Sequence, residues 1–169
     1  MSDQTQEPEM TTKPMKEHEW LQNLVGEWRT EGTMQMGPDQ PPVKGAGWEV
    51  TKMFGPLWAL AEGQSEMPNG ATMNYKHFLG WDVSFKEYRG AWMADVSSHL
   101  WKQVGELSAD GRTMTLDCVG PHMEKDGETA NYRDVIELID KDHRVMTSHG
   151  QDENGNWFEF MRVDFYRTG

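Results

Sequence analysis

From residue 27 onward the chain alternates in hydrophobic character with a period of two. Clusters of Gly, Pro, Asn and Asp interrupt that alternation at intervals of roughly 10–14 residues. This rhythm excludes long helices, whose apolar residues recur with a period of 3.6. Ten strands are expected, over residues 27–36, 44–54, 58–67, 72–81, 88–96, 100–107, 113–119, 129–139, 143–151 and 157–167. Trp28, Thr30, Gly32, Met34 and Met36 share one face of the first strand. In the second, Trp48, Val50, Lys52 and Phe54 alternate with Gly47, Glu49, Thr51 and Met53. Tyr75, His77, Leu79 and Trp81 share one face of the fourth. Asp110-Gly111 and Asn154-Gly155 are hairpin turn pairs, and residues 120–128 form a longer loop. The fold class is all-β. Because the connections are short throughout, an antiparallel up-and-down barrel of about ten strands is favoured over a two-sheet sandwich. Closure also removes exposed strand edges.

Ahead of the strands, residues 16–26 place Trp20, Leu21, Leu24 and Val25 on one helical stripe. A short N-terminal helix is therefore expected to cap one end of the barrel, with Gly26 in the left-handed position that ends it. Residues 1–15 are polar, carry Pro8 and Pro14, and are expected to form a flexible tail. Residues 16–169 form a single domain.

Composition narrows the function. Asp and Glu number 28 against 16 Lys and Arg, a net charge of −12, which repels nucleic acid and anionic membranes. A single cysteine excludes an internal disulfide framework, and no metal site is expected. The N-terminal residues contain no apolar segment of the signal-peptide kind, and the expected location is cytoplasmic. Neither a phosphate-cradling glycine loop nor a βαβ pattern is present.

Candidate site residues lie on the strands. Trp81, Trp92 and Trp101 occupy consecutive strands and are candidates for the aromatic wall of a small-molecule cavity, among eight Trp in all. His77, on the face of Tyr75 and Leu79, is a candidate polar anchor or general acid/base. His149 lies beside Ser148. Asp95, Arg133, Asp134, Glu62, Glu137 and Arg162 interrupt apolar patterns, and Arg133 is the chosen anchor for an acidic ligand group. The run Trp157-Phe158-Glu159-Phe160-Met161 puts bulky apolar groups on both faces of one strand, from which a homodimer is expected.

The stretch from His18 through Leu24-Val25-Gly26-Glu27-Trp28 resembles the opening of calycin (lipocalin-like) barrels, a short helix followed at once by Gly-x-Trp. In that superfamily a basic residue after the last strand packs over the Trp. The resemblance assigns this structural closure to Trp28 and Arg167, a cation–π contact of about 0.5–1 kcal/mol if exposed. From His18 to Arg167 the chain is similar to a bacterial calycin-like family of unknown function. The shared stretches are Leu21-x-x-Leu24-Val25-Gly26-x-Trp28, Gly80-Trp81-Asp82, Trp92-x-x-Asp95 with Ser97-Ser98, Tyr132-Arg133-Asp134 and Ser148-His149-Gly150-Gln151-Asp152. A more distant similarity is to haem-binding nitrobindin-like barrels. That similarity makes haem the one cofactor to consider, although no axial-histidine motif of that group is matched.

The leading expectation is a binding protein that holds a small, largely apolar or amphipathic molecule inside the barrel, with no cofactor and no covalent chemistry. The alternatives are a small isomerase or lyase that uses His77 with a carboxylate such as Asp95, a haem-binding protein, and a filled barrel with no ligand.

Overall fold

The computed structural model describes residues 11–169. Most of the expected flexible tail, residues 1–10, lies outside the described residues. A short helix α1 (Lys16–Trp20) runs into a 3-10 turn over Leu21–Leu24. Ten strands follow: β1 (Gly26–Met34), β2 (Val43–Phe54), β3 (Trp58–Glu66), β4 (Thr72–Asp82), β5 (Glu87–Ala94), β6 (Trp101–Leu107), β7 (Thr113–Pro121), β8 (Thr129–Asp140), β9 (His143–Gln151) and β10 (Trp157–Arg167). Each lies within two residues of its expected span. Every strand pairs antiparallel with its sequence neighbours, and β1 pairs with β10 from Trp28↔Arg167 to Met34↔Met161. The ring is closed and up-and-down, so no edge is left open.

The helical segment is shorter than expected, and Gly26 does not cap it. Gly26 opens β1 at φ +138, outside the left-handed helical region. A side chain there would collide with the Arg167 guanidinium, which donates to Val25 O at 2.5 Å. Gly155, by contrast, does serve its expected turn. At φ +82 it closes the Asp152–Asn156 loop, where Asp152 Oδ1 accepts from the Asn154 and Asn156 amides.

Strand parity defines the inward set. Cross-strand partners face the same side, so buried Thr30, Glu49, Leu79, Tyr88, Leu116, Tyr132, Ser148 and Phe165 carry their ladder partners inward with them. On β2 the bulky residues turn outward. Trp48 and Phe54 are exposed, while Gly47, Glu49 and Thr51 face the interior. On β10 the register slips between Glu159 and Met161. Phe158 and Met161 are then both inward partners, of Gly150 and Ser148, with Phe160 in the bulge against Tyr132. The bulge brings Phe158, Phe160 and Met161 to the inner side, while Trp157 stays on the outer wall under Arg133.

The closed end is a conventional core. Trp20, Leu21 and Leu24 pack on Leu79, Tyr88, Met114, Leu116 and Ile136. At about 1.5–3 kcal/mol for each large side chain removed from water, this cluster anchors the fold. Three polar contacts latch the cap. Trp20 Nε1 donates to Gly111 O at 2.7 Å, Tyr88 OH donates to Glu17 O at 2.8 Å, and buried His18 donates from Nε2 to Trp81 O at 3.1 Å. His18 Nδ1 accepts from the Met15 amide at 2.9 Å, which leaves Nε2 as the protonated nitrogen.

Candidate functional site

Above this floor the interior changes character. A polar layer crosses the middle of the barrel, and an aromatic rim surrounds the open end.

The polar layer has two parts. In the first, Glu49 (β2) and Arg144 (β9) are 4 % and 5 % exposed and pair across the barrel at 2.5 Å. Thr51 Oγ1 donates to the same Glu49 oxygen at 2.9 Å, and Tyr75 OH donates to the other at 2.7 Å. Burial and the Glu49 carboxylate push the Tyr75 phenol far above its ordinary range. Burial lowers the Arg144 pKa, and Glu49 opposes that shift. The guanidinium lies 4.4 Å from the Trp28 ring centre and 4.2 Å from that of Phe165, and its Nη1 has no hydrogen-bond partner among the described residues.

In the second part, all donors point at one carboxylate. Asp134 (β8) accepts from Ser148 Oγ at 2.7 Å on one oxygen and from Gln103 Nε2 at 2.8 Å on the other. The Gln103 amide oxygen then faces His77 Nε2 at 2.7 Å. An amide oxygen only accepts, so Nε2 carries the proton. Burial lowers the His77 pKa against the pull of Glu49, Gln103 and Asp134. The neutral ring therefore presents Nδ1 as a bare lone pair.

This shift has a stability consequence. An unfolded imidazole takes up a proton near pH 6.5, above the folded pKa of His77. Below pH 6.5 the unfolded chain binds the extra proton, so stability falls as pH drops towards the folded value. Thermal melts from pH 7.5 to pH 5 are expected to show this loss, with a shallower slope in His77→Phe.

The rim is aromatic. Trp92 stacks on Tyr75 at 5.5 Å, and Trp101 meets Tyr132 edge-on at 5.1 Å. Three inward glycines make room, since a side chain at Gly63, Gly120 or Gly150 would overlap Tyr75, Trp101 or Phe158. On the wall beside the rim, β6 and β7 bond only from Val104↔Asp117 to Leu107↔Met114. Beyond that, His99 Nε2 spans the gap to Val119 O at 3.0 Å, over a cleft of about 650 Å³ lined by Leu100, Lys102, Val104, Val119, Tyr132 and Trp157. Cys118 faces this region from inside, and burial pushes its thiol up to about 12.

The expected site residues separate into groups. His77, Trp92 and Trp101 come together on the inner face, along the Tyr75–Trp92–Trp101 side of the rim. Trp81 also points inward but belongs to the floor, 4.9 Å from Tyr88. Trp28 and Arg167 meet at the closed end, with the guanidinium 4.2 Å over the indole.

Three residues are not in the lumen. Arg133 lies between inward Tyr132 and Asp134, so it faces outward, pairs with Asp117 at 2.6 Å and covers Trp157 at 4.3 Å. His149 is outward for the same reason, beside inward Ser148, with Nδ1 3.3 Å from Arg133 O. Asp95 is exposed just past β5 and ties the rim by accepting from the Asn74 amide and side chain at 3.0 and 2.8 Å. The expected His77–Asp95 pair is thus corrected to His77–Gln103–Asp134. Glu49, Arg144 and Gln103 were not among the expected site residues.

These residues do not fit haem. Among the described residues, His77 is the one strand histidine that points inward; its Nε2 is committed to Gln103, and its ring lies near two carboxylates rather than on an open apolar face. His143 and His149 are on the outer wall.

The crystal structure of Rv2717c from M. tuberculosis is similar in fold, with a TM-score of 0.64 at 14% identity over 93% of this chain and 100% of that one. The S-type phycobiliprotein lyase CPES from Guillardia theta gives 0.58 at 13% identity, over 89% and 92%. At these identities the likenesses concern architecture alone. No curated protein matches the sequence. The family model described as "Protein of unknown function (DUF1579)" matches residues 13–167, the whole barrel with its cap, and the chain belongs to the DUF1579 family.

Proposed function

We propose that this protein binds a small, largely apolar or amphipathic molecule in the lumen, between the aromatic rim and the polar layer. The observation that carries the reading is accessibility. His77, Asp134, Met146 and Val163 all point inward in a closed barrel, yet each keeps solvent-reachable surface. On this reading that surface faces a lumen between the rim and the polar layer. Its lining combines apolar walls with a few fixed polar groups, the usual makeup of a small-molecule site. A buried Glu–Arg pair, and an Asp–Gln–His chain set on the inner face, are also costly devices for a barrel that needed only to be filled.

The test is a fluorescence titration with 1-aminoanthracene, a neutral probe that brightens in apolar surroundings. Saturable one-to-one binding is expected. Trp92→Ala removes a rim wall and should weaken it about tenfold, in line with the loss of one aromatic contact and its buried area. Brightening that does not saturate, or that Trp92→Ala leaves untouched, would contradict lumen binding. A second reading, an isomerase or lyase, draws on the same His77 lone pair, which has the form of a general base.

A further inference from the structure

Resting on lumen binding, the arrangement of the polar layer assigns a chemical class to the occupant. We propose that His77 Nδ1 is the hydrogen-bond acceptor that selects the ligand, and that the ligand is a neutral, mainly apolar molecule carrying one hydroxyl or N–H donor.

The argument runs along the hydrogen-bond chain. The Asp134 carboxylate can only accept, so it fixes the Gln103 amide with its NH2 towards Asp134. The opposite amide orientation would set an oxygen against that carboxylate. The amide oxygen in turn fixes the proton of His77 on Nε2. Ser148 donates to the remaining Asp134 oxygen, so the chain has no freedom to reverse. At its free end His77 Nδ1 has no partner among the described residues, and the ring keeps accessible surface inside the barrel. The other polar ends in the layer have partners or are enclosed, and Asp134, which keeps some accessible surface, is likewise only an acceptor. Glu49 is filled by Arg144, Thr51 and Tyr75, and Arg144 Nη1 is sealed against solvent. The open polar atom is thus an acceptor, which calls for a donor on the ligand.

Charge excludes anions. Facing His77 are the Glu49 and Asp134 carboxylates and one guanidinium, Arg144, already paired with Glu49. With a neutral imidazole the layer holds one surplus negative charge, which repels a carboxylate or phosphate. Gln103 is a positioning residue here, since it acts on the ligand only by holding His77 in one tautomer.

The experiment has two parts, and both can be run on the unmodified protein. Long-range 1H–15N NMR of the histidine side chains should show His77 as the neutral Nε2–H tautomer at pH 7. Calorimetric titration should then compare 2-naphthol, 2-methoxynaphthalene and 2-naphthoate. The naphthol should bind at least tenfold tighter than its methyl ether, which lacks the donor, and tighter than the naphthoate. Gln103→Leu frees the tautomer and should shrink the naphthol preference to less than threefold, with mixed tautomers in the 15N spectrum. Equal binding of naphthol and its ether, tighter binding of the naphthoate, or an Nδ1–H tautomer would overturn the donor assignment while leaving lumen binding intact. Failure of all three naphthalenes and of 1-aminoanthracene to bind would overturn both.

Discussion

Arg144→Ala is expected to cost about 3–5 kcal/mol of folding stability, the usual penalty for removing one partner of a buried ion pair. The loss comes less from the contact itself than from what remains. Glu49, 4 % exposed, would be left with the Thr51 and Tyr75 hydroxyls as donors and no cation paired with it. Urea denaturation read as a midpoint shift at constant slope checks the figure. Replacing both partners, as Glu49→Leu with Arg144→Met, should recover most of the loss, because apolar pairs of similar size often match or exceed buried ion pairs. A cost below about 1 kcal/mol for Arg144→Ala would mean that Glu49 is reached by solvent.

Trp28→Ala should cost a comparable 3–5 kcal/mol, by a different route. Trp28 is 2 % exposed and sits where the cap meets the barrel. Its Nε1 donates to Leu24 O at 3.0 Å, while the Arg144 and Arg167 guanidiniums lie over its ring at 4.4 and 4.2 Å. Truncation opens a void, releases the 3-10 turn from β1, and leaves Arg167 without its aromatic partner and Arg144 with Phe165 alone. Since Arg144 touches Trp28, the double variant should lose less than the two single losses added together. Equilibrium unfolding of the three variants measures that coupling, and simple additivity would argue that the two residues act independently.

The strands and the barrel were legible because alternation and turn chemistry are local properties. Most pairs of strands are joined by turn-forming residues, such as Asn154-Gly155 between β9 and β10. The inner face was harder to read, because it depends on a parity that one residue reverses. Arg133 and Asp134 are neighbours, and only Asp134 shares the face of Tyr132 and Ile136. The same single step separates inward Ser148 from outward His149. Spacing two residues from a large apolar group on each side was the available signal for Asp134.

Glu49 had no such signal. In β2 the large residues Trp48 and Phe54 are on the outside, and the inside carries Gly47, Glu49 and Thr51. The reason is tertiary, since Tyr75 and Arg144 reach Glu49 from β4 and β9 and occupy the space that a bulky β2 residue would need. The β10 bulge at Phe160 is likewise set by its pairing with β9, and no residue in the strand announces it. His77 was identified because its strand, with Tyr75, Leu79 and Trp81, runs without a register break.

The most direct test of a lumen site is methyl NMR of methionine-labelled protein titrated with 1-aminoanthracene. The methionines divide by face. Met73, Met146 and Met161 point into the barrel, whereas Met93 lies on the outer wall and Met123 in an exposed loop. The ring current of a bound probe should shift the methyl signals of Met146 and Met161, and of Met73 at the rim, while Met93 and Met123 stay in place. Shifts at Met93 or Met123 with the inward methyls unmoved would put the probe on the outer surface and contradict the lumen as the binding site.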